Sequence, residues 1–312
     1  DASFDDRALV YLGRLLRERG YRFTPVSPTS HARHVRARGP MAMAHTLRDV
    51  FGWCLPFSRD GAFADIAEAL DAAGALRIVG TARAGTRQLV RSGVRFASID
   101  EQVFIHGGYP PDPVDAVVVG PEHTRFCRLL QQRVVGWCGR VLDLGAGCGM
   151  AGLLLGKQAQ EVLIADDNRE ALRLARVNAA VARIGVDLID GDDLDVLDDI
   201  GGPFDLIVVG PQSHAERRHY RAGWFGGLPG VDVAARTVAA ALPRLKPEGR
   251  LLMAVRTPIV DGRDLFFEKV KPLLEGHDTH YDEIDTDVVD DDDDGLAVGV
   301  ERVAATVLDV HI

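Results

Sequence analysis

Cysteine is scarce in this chain: Cys54, Cys127, Cys138 and Cys148 are the only four in 312 residues. Their separations match neither a metal-ligand set nor a disulfide framework, which fits a reduced, cytoplasmic setting. Long apolar runs are also missing, and no stretch approaches the roughly 18 to 20 residues of a membrane span. The first residues, DASFDDRALV, are acidic, unlike a secretory leader. Positive charge is in deficit, with 36 Lys and Arg against 46 Asp and Glu and a net charge of −10. Neutralising phosphates needs a basic surface, so a nucleic-acid partner is not expected. Two stretches depart from that average: HARHVRARG, with His31, Arg33, His34, Arg36 and Arg38, and ERRHYR, with Arg217, Arg218 and Arg221. A solvated face is the ordinary explanation for each.

What is present is a globular composition, 46% hydrophobic and 26% charged, long enough for a large domain with a smaller companion. Residues 6–19 place Leu9, Leu12, Leu15 and Leu16 at helical spacing, and Gly20 stops the run. MAMAHTLRDVFGWCL and AFADIAEALDAAGAL read as two further helices. Short β-prone runs from LRIVG to VFIHGG suggest a hairpin or wing. Residues 1–110 therefore read as an N-terminal helical, winged-helix-like accessory domain. The segment Tyr109 to Asp115, rich in proline, is the natural linker. Beyond it, apolar strands alternate with amphipathic helices, which predicts an α/β fold with a parallel sheet covered on both faces. TDVV and GVERVAATVLDV look like a closing antiparallel pair. There is no internal repeat.

In VLDLGAGCGM, Gly145, Gly147 and Gly149 sit between a strand and a helix. Missing side chains let the backbone turn tightly and approach a ligand. Taken alone, such a turn serves a dinucleotide or merely packs. Asp143, within an apolar strand, sharpens the reading: a carboxylate is costly to bury without a partner, and a ligand's ammonium group would be one. About twenty residues beyond, the next strand ends in IADDN. There Asp166, with Asp167 and Asn168 beside it, is placed to accept hydrogen bonds from ribose hydroxyls. The third strand ends in DGDDL, where Asp192 or Asp193 is placed to meet an exocyclic adenine amine.

VLDLGAGCG, IADDNREAL, DGDDL, FDLIVVGP and LKPEGRLLM, in that order, resemble class I S-adenosylmethionine-dependent methyltransferases. Within them the chain is most similar to the branch holding the small-domain RNA methyltransferases and the release-factor glutamine methyltransferases. The resemblance covers roughly residues 115–312, with the domain taken as 111–312. It implies a Rossmann-like seven-stranded sheet whose last strand is antiparallel, with S-adenosyl-L-methionine across the carboxyl ends of the first strands. Asp143 and Gly145 would lie beside its methionine moiety, Asp166 at the ribose and Asp192 at the adenine. Thr124, or the start of its helix, would meet the carboxylate, while His123 is read as a surface residue.

The fourth motif is altered. Where relatives carry Asn-Pro-Pro-Tyr, this chain has Gly210, Pro211, Gln212 and Ser213. A glycine supplies no side-chain amide, so the glutamine-amide and base-amine readings lose weight. Gly210 is grouped with the cofactor-binding residues, and Gln212, Ser213, His214 and Tyr220 are the catalytic candidates, with His219 further along the loop. Histidine is the side chain suited to take a proton near neutral pH, which makes His214 a candidate base. Trp224 and Phe225 wall the pocket or pack the loop. Asp290 to Glu301 satisfies a calcium-loop pattern, but its flanks read as strands, so a solvated hairpin loop is expected and no metal.

The resulting expectation is a methyltransferase acting on a small molecule in specialised-metabolite biosynthesis. Three alternatives stand beside it. The first is transfer or cyclisation of the aminocarboxypropyl group to azetidine-2-carboxylate, releasing methylthioadenosine. The second is an RNA or protein methyltransferase, and the third a non-catalytic cofactor-binding protein. The oligomeric state is not legible.

Overall fold

The computed structural model describes residues 6–81, 87–109, 116–191, 193–211, 229–288 and 300–312. Helix α1 (Asp6–Glu18) buries Leu9, Leu12 and Leu16. It ends as the spacing predicts, with Gly20 at φ +65° and Tyr21 N–H donating to Leu16 O at 2.9 Å. The basic HARHVRARG stretch lies largely on α2 (Pro28–Ala37), where His31 is buried and Arg33 and Arg36 are exposed. The long helix expected over MAMAHTLRDVFGWCL is only α3 (Leu47–Phe51). Thr46 caps it: its side chain accepts from Asp49 N–H while Asp49 Oδ2 accepts from Thr46 N–H. Such a capping box is a helix start, which leaves residues 41–46 outside. Helix α4 (Ala64–Ala72) follows.

Strands β1 (Phe57–Ser58), β2 (Leu76–Thr81) and β3 (Gln88–Ser92) form one small antiparallel sheet; β4 (Val94–Ile99) and β5 (Gln102–Gly107) form a hairpin. These elements sit on the rest of the chain through α1 and β5. Gly13 in α1 lies so close to helix α7 (Arg169–Ala182) that a Cβ would meet Val181 Cγ2 at 2.6 Å. Arg173 of α7 pairs with Asp6 at 2.7 Å, and Arg14 donates to Ala180 O at 2.8 Å.

The large sheet is mixed and mostly parallel. Its strands are β6 (Cys138–Leu144), β7 (Ala159–Asp166), β8 (Asp187–Asp190), β9 (Phe204–Val209), β10 (Leu245–Val260), β12 (Asp278–Val288) and β13 (Val300–His311). They run in the order β12-β13-β10-β9-β6-β7-β8, with the short β11 (Arg263–Asp264) paired to β10. The last strand, β13, is antiparallel to both β10 and β12. This is the Rossmann-like α/β fold and closing antiparallel pair that the motifs imply.

Alternation along the strands assigns side chains to two faces. Val141, Ile164 and Val208 share a core with α1, α7, α5 (Pro121–Arg133) and α6 (Met150–Leu155). Leu142, Leu144, Leu163, Ile207 and Leu251 pack on the other side against α8 (Asp193–Asp199), α9 (Pro229–Ala241) and α10 (Leu265–Val270). Among the described residues no helix is long and apolar enough to cross a membrane.

Candidate functional site

The strand order brings the carboxyl ends of β9, β6, β7 and β8 side by side, from the middle of the sheet to its β8 edge. Leu144 pairs with Ala165 on one side and Val209 on the other, and Asp166 pairs with Asp190. Gly145, Asp166, Asp190 and Gly210 therefore stand at neighbouring strand ends, the place where open α/β sheets bind ligands.

Between β6 and α6 the chain turns through three left-handed glycines, Gly145, Gly147 and Gly149, at φ +56°, +55° and +78°. Any other residue would be strained at such angles. A Cβ on Gly149 would lie 3.1 Å from Ile164 Cδ1 and 3.2 Å from Ala175 Cβ, whereas one on Gly147 would meet nothing within 4 Å. Gly149 is therefore a packing glycine, and Gly147 leaves open space over the turn.

Asp166 pins that turn. Its Oδ2 accepts from Gly147 N–H at 2.7 Å and its Oδ1 from Asn168 N–H at 2.8 Å. The side chain of Asn168 caps α7, accepting from Glu170 N–H at 2.9 Å. Burial raises the Asp166 carboxyl above the usual aspartate range, against the pull of those two N–H groups, and the charge of Asp167 adds to the rise. Two backbone bonds still leave lone pairs on the carboxylate. Asp167 itself is exposed.

Asp143 is fully buried, and its Oδ2 accepts from Gly152 N–H at 2.7 Å. It ties the first turn of α6 to β6, a partner supplied by the chain itself. Thr124 is also buried, and its hydroxyl donates to Pro121 O at 2.8 Å. His123, expected as a surface residue, is half-buried and caps its own helix, its Nδ1 accepting from Gly120 N–H at 3.1 Å. Cys148, within the glycine turn, is a buried thiol whose pKa burial pushes up to about 12, so it is not a nucleophile near neutral pH.

Asn178 is the residue that motif reading missed. It is buried on α7, and its amide accepts from Ile105 N–H at 2.7 Å and donates to Ile105 O at 3.0 Å and Cys148 O at 2.9 Å. One side chain thus joins the β4–β5 hairpin to the glycine turn. The signal available was a polar residue on an otherwise apolar helical face beside Leu174 and Val181.

Most of the remaining candidates are not described by the structure. Asp192, Gln212, Ser213, His214, His219, Tyr220, Trp224 and Phe225 lie outside the described residues, as do ERRHYR and Asp290–Gly299 of the acidic loop. For Asp193 only its place at the start of α8 is described. Gly210 follows β9, and a Cβ added there would meet nothing within 4 Å.

Residues 126–261 match the family described as methyltransferase small domain. The match spans the stretch that carries the resembling motifs, from VLDLGAGCG to LKPEGRLLM. Release factor glutamine methyltransferase of Deinococcus radiodurans is 38% identical over 128 residues, covering 36% of this chain and 44% of that protein. Ribosomal RNA small subunit methyltransferase C of Haemophilus influenzae is 31% identical over 110 residues, 35% of this chain and 28% of that protein. The chain thus matches less than half the length of either relative. A T. thermophilus 16S rRNA methyltransferase solved with AdoMet and guanosine is similar at 21% identity and TM-score 0.44, over 82% of this chain and 63% of that one. These relatives overturn the expectation of a small-molecule partner and no nucleic acid, because they are named for a protein and for ribosomal RNA. The physical reason is that net charge is an average over the surface and does not report where unpaired cations gather.

Proposed function

We propose that the chain is an S-adenosylmethionine-dependent methyltransferase whose acceptor belongs to a macromolecule, an RNA or a protein. The observation that carries the reading is the left-handed glycine turn, fastened by Gly147 N–H to Asp166 at the carboxyl end of β7. The open space over Gly147 fits a ligand lying against bare backbone. When bound, S-adenosylmethionine supplies a methyl group on a positively charged sulfur. Asp166 would accept from its ribose hydroxyls with Asp167 at the rim, Gly145, Gly147 and Gly149 would shape the bed, and Asp143 would hold that bed through Gly152 N–H. Asp192 or Asp193 serves the adenine, and Thr124 keeps the start of α5 in shape.

Methyl transfer needs alignment first, and a base only where the acceptor atom must lose a proton. Gln212, Ser213, His214 and Tyr220 are the residues for that task, with Gly210 leaving room beside the cofactor. The absent Asn side chain at Gly210 removes the grip that a planar amide would use. The acceptor atom is accordingly not carried over from the relatives. Residues 1–110 act as an accessory domain that presents the macromolecule to residues 111–312.

The test is calorimetric titration with S-adenosylmethionine. One site is expected, and Asp166→Ala should weaken it by at least about tenfold, about 1.4 kcal/mol. An Asp166→Ala protein that binds as tightly as the original removes Asp166 from the site.

A further inference from the structure

Outside the sheet, a groove of about 380 Å³ runs between the N-terminal elements and α5, lined by Arg22, Phe23, Thr24, Arg48, Trp53 and Arg128 among others. Arg22, Arg48 and Arg128 are exposed, and none has a carboxylate partner within ion-pair distance among the described residues. Arg22 Nη1 donates to Tyr21 O at 3.0 Å and Arg48 Nε to Arg22 O at 3.1 Å, so backbone carbonyls hold these two side chains. Six arginines elsewhere, Arg59, Arg133, Arg140, Arg173, Arg244 and Arg250, each face an aspartate or glutamate, while Arg14 and Arg77 also donate to backbone carbonyls. One carboxylate, Asp100, lines the groove with Arg22, Arg48 and Arg128, and it accepts from Gln131 Nε2 at 3.0 Å.

The groove also has a fixed aromatic wall. Trp53 is half-buried, stacked on His34 at 3.7 Å between ring centroids and met edge-on by Phe23 at 5.2 Å. The His34 stack brings α2 to the same place, and that helix carries Arg33 and Arg36, three residues apart and both exposed. In a chain of net charge −10, three guanidinium groups gathered around a single carboxylate create a local positive field. Planar forks of this kind match phosphate oxygens, and an indole beside them suits a nucleobase or ribose.

We infer that this groove holds the phosphodiester backbone of an RNA strand, with Arg22, Arg48 and Arg128 on its phosphates. The inference rests on the macromolecular-acceptor reading for its purpose and chooses RNA within it. The binding itself is measured without any methyl transfer.

The full chain is titrated into a labelled single-stranded RNA of mixed sequence, followed by fluorescence anisotropy at several KCl concentrations. Affinity should fall steeply with salt, because each neutralised phosphate releases counterions. The triple variant Arg22→Gln, Arg48→Gln, Arg128→Gln should bind at least about tenfold more weakly, with a log–log salt slope shallower by about 2. Thr24→Lys, which adds a cation to the exposed rim, should tighten binding and steepen the slope. Unchanged affinity and slope in both variants would overturn the inference. So would RNA failing to bind at low salt, whether or not poly-glutamate binds in its place. Calorimetry with S-adenosylmethionine on the same samples separates the two claims. RNA binding without cofactor binding keeps the groove and removes the methyltransferase reading, and the reverse result does the opposite.

Discussion

At the scale of single residues, the site depends on backbone donors finding buried acceptors. Asp166 is the clearest case, since one carboxylate fixes Gly147 and Asn168 together. Its ionised form makes those bonds, and burial raises its pKa. As pH falls, Asp166 should therefore take up a proton before an exposed aspartate does. Cofactor affinity is expected to be full above that pKa and to be lost as pH drops through it, while Asp166→Asn should be weak and flat over the same range. Calorimetry across the acidic range checks this, and a wild-type affinity that stays constant throughout would remove the linkage. The glycines and Asp166 were legible in the sequence because each pattern forces local geometry: a turn needs bare backbone, and a strand end needs its acid. Asn178 was not legible, because its partners Ile105 and Cys148 are 73 and 30 residues away in the chain.

At the scale of elements, the longest patterned segments are the ones the sequence predicts well. Helix α7 buries Leu174, Ala175, Val177 and Val181 on one side, and strands β6, β7 and β9 are apolar on both faces, as parallel strands between helices must be. Helix α3 fell short of its expected length because Thr46 and Asp49 form a cap inside the apolar run, and a cap outweighs pattern at a helix start. The stretch KPEGR, residues 246–250, lies within β10, whose register with β9 shifts between Leu245 and Arg250, with Glu248 at φ +65°. Asn178 belongs to this scale by its effect, since it ties a hairpin, a helix and a turn. Asn178→Leu leaves Ile105 N–H, Ile105 O and Cys148 O without that partner. An unpaired buried group costs about 1–3 kcal/mol, so a stability loss of about 2–3 kcal/mol is expected in urea denaturation, together with weaker cofactor binding. Loss of stability alone, with cofactor affinity intact, would show that the link to the turn does not matter.

At the scale of the whole molecule, the sheet is closed at its far edge by the pair β12–β13 and held there by charge. Asp309 on β13 is buried and takes a two-pronged contact from Arg250, Nε to Oδ1 and Nη2 to Oδ2, each at 2.7 Å, with Arg133 at 3.1 Å. Burial works against its ionised form, and the Arg250 bonds and charge outweigh it, so its pKa is lowered. The arginine groove, by contrast, answers to no motif: it draws on residues 22–24, 48–53 and 128, which only folding brings together. Net charge, a whole-chain average, therefore gave no sign of three arginines lining one groove. The relatives' names and the groove bear on the same question, which molecule receives the methyl group. The most direct measurement is transfer of label from methyl-labelled S-adenosylmethionine to cellular RNA and to cellular protein, with the nucleoside product identified in the same reaction. Label in the RNA fraction and S-adenosylhomocysteine as the product are expected. Methylthioadenosine as the product, or no label in any macromolecule, would contradict this.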